Sequence, residues 1–283
     1  RFGGNPLAVL PDATGLSSVQ MQQIAREFNF SESTFVLPSH GGYTRNVRIF
    51  TPTQEIPFAG HPNIGTAFTL ASIGELGNID EGLNIIFEEK AGPVPISIRQ
   101  VGADIWCELK APESLSLGQS IDLDLIAAAL SLVPEDIVTS THQPIVASVG
   151  LPFVIVELDS RLALERARSY LPVIKEIQEL GVMPDILLYV RSDDDFDIRA
   201  RMFAPLDGVP EDPATGSANC ALAALLSHYK TESTGDFGWR IAQGVEMKRP
   251  SVLEARSKKR PDSGIDVWVS GTCKMVSEGL IEI

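Results

Sequence analysis

One punctuated segment occurs twice in this chain, and that doubling limits the folds open to it. Arg48-Ile49-Phe50-Thr51-Pro52 leads, through a short loop, to His61-Pro62-Asn63-Ile64-Gly65. Arg201-Met202-Phe203-Ala204-Pro205 leads, through a slightly shorter loop, to Asp212-Pro213-Ala214-Thr215-Gly216-Ser217-Ala218. Arg48 and Arg201 lie 153 positions apart and His61 and Asp212 lie 151 apart, so this alignment puts a two-residue deletion in the second copy. Each copy reads as a strand, a turn and a helix opening on proline, whose missing N–H has no partner to lose in a first helical turn. The pattern predicts two halves related by a pseudo-two-fold axis, with a cleft between them and two helix N-termini pointing into it.

Weaker echoes keep the same order. Gly4-Asn5-Pro6-Leu7-Ala8-Val9 resembles Gly150-Leu151-Pro152-Phe153-Val154-Ile155, and Ile105-Trp106-Cys107 answers Val267-Trp268-Val269. A period of about 150 residues is too long for a solenoid and predicts two domains of ordinary size.

The chain has 283 residues and a formal net charge of −14, which argues against non-specific nucleic-acid binding and anionic membrane surfaces. Any anionic ligand must then be held by a local positive site. The three cysteines, Cys107, Cys220 and Cys273, form no CxxC pair and fit a reducing cytoplasm. No apolar run reaches the length of about 20 residues that spans a bilayer, and no signal peptide is visible. The chain begins at Arg1 without an initiator methionine, so an N-terminal piece is expected to precede it. Asp193-Asp194-Asp195 reads as a solvated turn, and no metal site is expected. GxGxxG, P-loop, HExxH and GxSxG patterns are absent.

Ser17 and Gln20 form a capping-box pattern ahead of a helix carrying Met21, Ile24, Ala25 and Phe28. Ile64, Ala67, Phe68 and Ala71 repeat the helical spacing after Pro62. Pro213 opens the matching helix, with Ala218, Leu222, Leu225 and Tyr229 on its buried face. Strands fill most of the remainder, and Met275–Ile283 reads as a closing strand. Two isolated apolar helices among many strands are best buried by sheets that curl around them.

His61 and Asp212 stand just before the two helix-opening prolines. The first N–H groups of a helix lack internal partners and sit at the positive end of its dipole, so a carboxylate ligand is favoured there. Gly60 allows close backbone approach, and Gly65 and Gly216 keep the first turns slim. Glu32 lies between an amphipathic helix and an apolar strand. Burial there would raise its pKa toward the range useful for moving protons near neutrality. Each residue alone also has a plain reading: an N-cap for Asp212, a turn residue for His61, a loop carboxylate for Glu32.

These residues together resemble the phenazine-biosynthesis PhzF-like family. The matching motifs are Gly4-Asn5-Pro6, Ser31-Glu32-Ser33-Thr34-Phe35, Arg48-Ile49-Phe50-Thr51-Pro52, Gly60-His61-Pro62, Glu211-Asp212-Pro213-Ala214-Thr215-Gly216-Ser217-Ala218 and Ser270-Gly271-Thr272. The resemblance runs end to end. It implies an α+β fold of the diaminopimelate epimerase type: two pseudo-two-fold-related domains, each a β barrel wrapped around a central helix. The domains implied are residues 1–112 plus 273–283, with Lys274–Ile283 returning as a strand, and residues 113–272.

The resemblance further implies Glu32 as general acid/base, with His61 and Asp212 in the catalytic site. Gly60, Pro62, Gly216 and Ser217 would bind substrate. It implies no cofactor, a small carboxylate substrate and a homodimer. The related epimerases use a cysteine on each side, and Gly60-His61 and Asp212 stand here instead, so two-thiol racemisation is not expected. Three functions follow. The first is an isomerase in which Glu32 relocates a proton. The second is an epimerase or racemase using Glu32 and Asp212 on opposite faces. The third is a binding protein on the same scaffold, against which the intact Glu32, His61 and Asp212 count.

Overall fold

The structure, a computed structural model, describes residues 1–283. The chain divides into two compact units, Arg1–Lys110 with Ser270–Ile283, and Ala111–Val269. No helix is long and apolar enough to cross a membrane.

In the first unit, strand β1 (Leu7–Leu10) leads to helix α1 (Ser18–Phe28). Ser17 and Gln20 close the capping box: each side chain accepts from the other's backbone N–H. Asn29, at φ 51°, ends the helix in the left-handed conformation. Met21, Ile24 and Ala25 pack with Phe35 and Phe50. Then come β2 (Glu32–Leu37), β3 (Arg45–Phe50), β4 (Glu55–Ile56), α2 (Gly60–Ser72), β5 (Leu83–Glu89), β6 (Gly92–Val101) and β7 (Asp104–Lys110). β1 lies parallel to β2, β2, β3 and β4 follow antiparallel, β5 joins β3 in parallel, and β5, β6 and β7 form hairpins. In β6, Val94, Ile96 and Ile98 alternate inward. The sheet meets α2 from β1, β2, β6 and β7, which buries a helix too apolar for water.

The second unit contains β8 (Ser116–Ser120), α3 (Leu123–Ala129), β9 (Ile137–Val138), β10 (Ile145–Ser148), β11 (Pro152–Leu158), α4 (Arg161–Arg166), α5 (Leu171–Glu179), β12 (Ile186–Arg191), β13 (Ile198–Ala204), β14 (Val209–Asp212), α6 (Gly216–His228), β15 (Gly235–Gln243) and β16 (Ser251–Lys259). Strand β17 (Ile265–Thr272) follows and runs across the unit boundary. The ladder repeats the first unit's logic. β11 is parallel to β12, β12, β13 and β14 are antiparallel, β15 joins β13 in parallel, and β16 pairs back on β15. α6 is buried from Ala218 to Ser227 and touches β10, β11, β15 and β16.

The ladders fix how the copies correspond. Ser33 faces Phe50 and Thr34 faces Ile49, as Ile186 faces Phe203 and Leu187 faces Met202. Ile49 therefore matches Met202. Arg48 grips Glu55 with two bonds of 2.8 and 2.9 Å, and Arg201 grips Glu211 with two of 2.8 Å. Arg48 also lies over the Phe50 ring and Arg201 over Phe203. Farther on, Arg99 stacks on Trp106 and Arg256 on Trp268, each at 3.8 Å.

Past the arginine clamp, the expected alignment needs correction. Both central helices are 13 residues long and begin at glycine, Gly60 and Gly216, with Ala59 and Thr215 as N-caps. Pro62 is thus the third residue of its helix, and Pro213 lies outside α6. The second copy carries a longer turn, containing the 3₁₀ segment Pro205–Asp207, not a deletion. His61 consequently matches Ser217, and Asp212 matches Ile56. Proline is tolerated at a helix start but does not mark one, so it was a poor anchor. Beyond Thr272 no strand forms; Met275 to Ile283 finds no ladder partner and is mostly exposed.

Candidate active site

In the first unit, four polar side chains meet at the start of two elements. Glu32 is the first residue of β2, where the parallel register sets it beside Leu7 of β1. His61 is the second residue of α2. Asn5 and Ser31 come from the chain just ahead of β1 and β2. Ser31 Oγ donates to Asn5 Oδ1 at 3.3 Å, and the Asn5 amide nitrogen lies 3.3 Å from His61 Nδ1. His61 Nε2 lies 3.4 Å from Glu32 Oε2, and the two side chains are 16% and 17% exposed. Thr34 and Thr66, both buried, bond at 2.8 Å and tie α2 to the strand that carries Glu32.

Burial pushes the pKa of His61 down to about 3, against a smaller opposite pull from the Pro6 carbonyl. The imidazole is therefore neutral near pH 7, and its contact with Glu32 is not an ion pair. A neutral ring has one N–H. Nδ1 is the nitrogen beside Asn5 and Nε2 the one that faces the carboxyl group of Glu32, and the tautomer sets which of them carries that N–H. The pair sets a neutral imidazole against a largely buried carboxyl group.

In the second unit, Asp212 closes β14 and is 8% exposed. Its Oδ2 accepts from Thr215 Oγ1. Wholly buried Gln243, the last residue of β15, clamps the turn from below. Its Nε2 donates to the Asp212 carbonyl at 2.7 Å and to Thr215 Oγ1 at 2.9 Å. Its Oε1 accepts from Thr215 N–H at 3.2 Å and Asn219 Nδ2 at 2.8 Å. Ser251 Oγ caps the Pro213 carbonyl at 2.7 Å. Gly244, at φ 73°, lets β15 leave beneath this turn; a Cβ there would sit 2.7 Å from the Pro213 oxygen. Asp212 is thus part of a braced turn and not the N-cap of α6. Ser217 occupies the first turn of α6, partly exposed.

Neither central helix has a side-chain hydrogen bond at its N-cap. Each has an asparagine three residues after its first glycine whose Nδ2 bonds back to the N-cap carbonyl: Asn63 to Ala59 at 2.9 Å and Asn219 to Thr215 at 2.8 Å. The repeated Gly-x-x-Asn pattern was readable in the sequence and would have located both helix starts. The roles of Gln243, Asn63 and Asn219 were missed.

Residues 1–279 match the phenazine biosynthesis-like protein family, PhzC-PhzF. The chain is 36% identical over 278 residues to the trans-2,3-dihydro-3-hydroxyanthranilate isomerase of Pseudomonas aeruginosa, a match covering 98% of this chain and 93% of that one. Among solved structures, it is similar to a phenazine biosynthesis protein of the PhzF family from Bacillus anthracis. That match has a TM-score of 0.85 and 23% identity, over 95% of this chain and 90% of that one. A hydroxyproline epimerase from Agrobacterium vitis, with trans-4-hydroxy-L-proline bound, shares the fold at TM-score 0.59 and 14% identity, over 85% and 71% of the two chains. These likenesses give the diaminopimelate epimerase-like fold. With its family motifs matched from one end to the other, the chain belongs to the PhzF family of isomerases.

Proposed function

We propose that this isomerase relocates a proton on a small carboxylic acid without a cofactor, with Glu32 as the general acid/base. The observation that carries the reading is the Glu32–His61 contact: a carboxylate 3.4 Å from an imidazole that burial keeps neutral. Glu32 takes a proton from a substrate carbon and returns it to another. His61 orients the carboxylate and offers a neutral N–H to charge that develops on the substrate. A helix start without a side-chain cap favours a carboxylate, which assigns backbone-donor roles to Gly60 of α2 and to Gly216 and Ser217 of α6. Pro62, which has no N–H, binds by shaping the first turn of α2. Asp212, held by Thr215 and Gln243, is the second unit's carboxylate in the reaction.

The test is incubation in D₂O with trans-2,3-dihydro-3-hydroxyanthranilate, the compound named for the Pseudomonas relative, and with other small unsaturated acids. Deuterium entering a carbon position of one of them, and failing to enter with Glu32→Gln, supports the reading. Deuterium exchange that survives in Glu32→Gln sinks it. Inverted configuration at an unmoved double-bond pattern would instead favour an epimerase using Glu32 and Asp212.

A further inference from the structure

Glu89, the last residue of β5, is 7% exposed, and both its carboxylate oxygens are buried without a hydrogen-bond partner. An anion in such a place carries a heavy desolvation cost that only a cation or several donors can offset. No cation faces it. On its own strand, Glu88 bonds Ser39 and His40, and exposed Lys90 lies 3.9 Å from Glu55, which is already gripped by Arg48. Across the hairpin it is paired with Gly92 of β6. From α2 comes the amide of wholly buried Asn63, and the titratable group on that helix, His61, is neutral. Burial pushes the Glu89 carboxyl up to about 8, against a smaller downward pull from Asn63.

The second unit shows what belongs in this position. β5 joins β3 with Asn46 beside Glu88, and β15 joins β13 with Arg199 beside Ala242. One residue on, Glu89 matches Gln243. Asn63 matches Asn219 in the same way, and Asn219 donates to Gln243 at 2.8 Å. Gln243 uses its acceptor and donor ends together to fix the turn that enters α6. A protonated glutamic acid has nearly the same shape, with one carbonyl acceptor and one O–H donor. A carboxylate has no donor.

We propose that Glu89 is a positioning residue that works as an uncharged carboxylic acid, taking Gln243's place in the first unit: it accepts from Asn63, donates its proton into the Ile56–Ala59 segment, and so holds the start of α2 that carries His61. The link to turnover rests on the Glu32–His61 reading, whereas the protonation state does not.

Glu89→Gln tests it, beginning without substrate. At pH 7 the wild-type infrared spectrum should show a buried carboxylic acid C=O band that Glu89→Gln lacks. Thermal unfolding supplies a second readout. The folded state keeps a proton that the unfolded chain releases above about 4.5, so wild-type stability falls as pH rises from there to about 8. Glu89→Gln should remove that slope, and its melting temperature should gain on wild type steadily across the window. A missing acid band together with parallel pH slopes overturns the proposal.

With a substrate in hand, Glu89→Gln should keep wild-type kcat and lose any decline in kcat on the alkaline side that Glu89 causes. Glu89→Leu should lower kcat on the order of ten- to a hundredfold with little change in KM, as expected for a displaced catalytic group. A Glu89→Leu enzyme with wild-type kcat overturns the positioning role. If Glu32→Gln proves fully active, the functional reading falls while the infrared and unfolding results still decide the state of Glu89.

Discussion

The two units share a scaffold and differ in their chemistry. Both have the Arg–Glu clamp, the Arg–Trp stack and a 13-residue apolar helix starting at Gly-x-x-Asn. Matched through the ladders, Glu32 corresponds to Asp185 and His61 to Ser217, because Ser33 corresponds to Ile186 and Gly60 to Gly216. Thr34 and Thr66, bonded at 2.8 Å in the first unit, become the buried leucines Leu187 and Leu222 in the second. Glu89 becomes Gln243. Duplicated backbone was kept where it packs, and side chains diverged where β2 and α2 begin. That divergence leaves the Glu32–His61 contact in the first unit and a hydrogen-bonded brace in the second.

The comparison breaks most visibly at Glu32. Glu32→Gln keeps the shape and removes the acceptor, so kcat should fall on the order of 10²–10⁴-fold while folding is retained. Steady-state kinetics and circular dichroism measure the two. A loss of less than tenfold would leave the first unit without its assigned role.

The clamps should separate next. Arg201 is 4% exposed and also donates to the carbonyls of Leu164 and Ala167, at 2.8 and 2.9 Å. Arg48 is 24% exposed and bonds Ser18 Oγ in addition to Glu55. Arg201→Ala leaves Glu211 and buried carbonyls unpaired and should cost about 3–5 kcal/mol. Arg48→Ala leaves a carboxylate that water can reach and should cost roughly 1–2 kcal/mol. Denaturant unfolding decides, and equal costs would mean that burial does not distinguish the copies.

Two titrations should run in opposite directions. His61 has its folded pKa depressed from 6.5 to about 3, so the unfolded chain binds the extra proton and stability falls as pH drops through that window. Asp185 has its folded pKa raised from 3.8 to about 7, by burial first and by the charge of Asp207 second. Its contribution is lost as pH rises through that window. His61→Asn should relieve acid destabilisation at pH 4, and Asp185→Asn should relieve destabilisation at pH 8, each by on the order of 1–3 kcal/mol. Melting curves at the two pH values check both signs. Interchanged signs would show that these groups are not desolvated as described.

Much of this was legible before the structure. The doubled segment, the α1 capping box and the Glu32 and His61 motifs depend on local sequence, and local sequence carries them. The register of the second copy was not legible, because Pro62 and Pro213 look alike on the page but only one is inside a helix. The ladder and the clamps decide that register, and they are contacts between distant residues. Glu89 was invisible for a similar reason: after Glu88 at a strand end, a second glutamate reads as solvated. Only the fold brings Asn63 over it. The closing strand failed at Met275–Ile283 because apolar residues there have no ladder to join.

The smallest expected effect gives the sharpest check on the duplication itself. Arg99 and Arg256 lie exposed on β6 and β16, each 3.8 Å from the ring of a tryptophan on the next strand of the sequence, Trp106 on β7 and Trp268 on β17. A guanidinium over an exposed indole face contributes about 0.5–1 kcal/mol. If the stack belongs to the common scaffold, Arg99→Ala and Arg256→Ala should each cost that amount, and nearly the same amount. Lysine at either position should recover only part of it, because its ammonium cannot lie flat on the ring. Each substitution removes a stack within its own unit, so their costs should add within about 0.5 kcal/mol in the double variant. Indole fluorescence followed through urea unfolding reports both sites at once. Costs that differ by more than the whole expected range would show that these stacks are separate inventions and not copies of one.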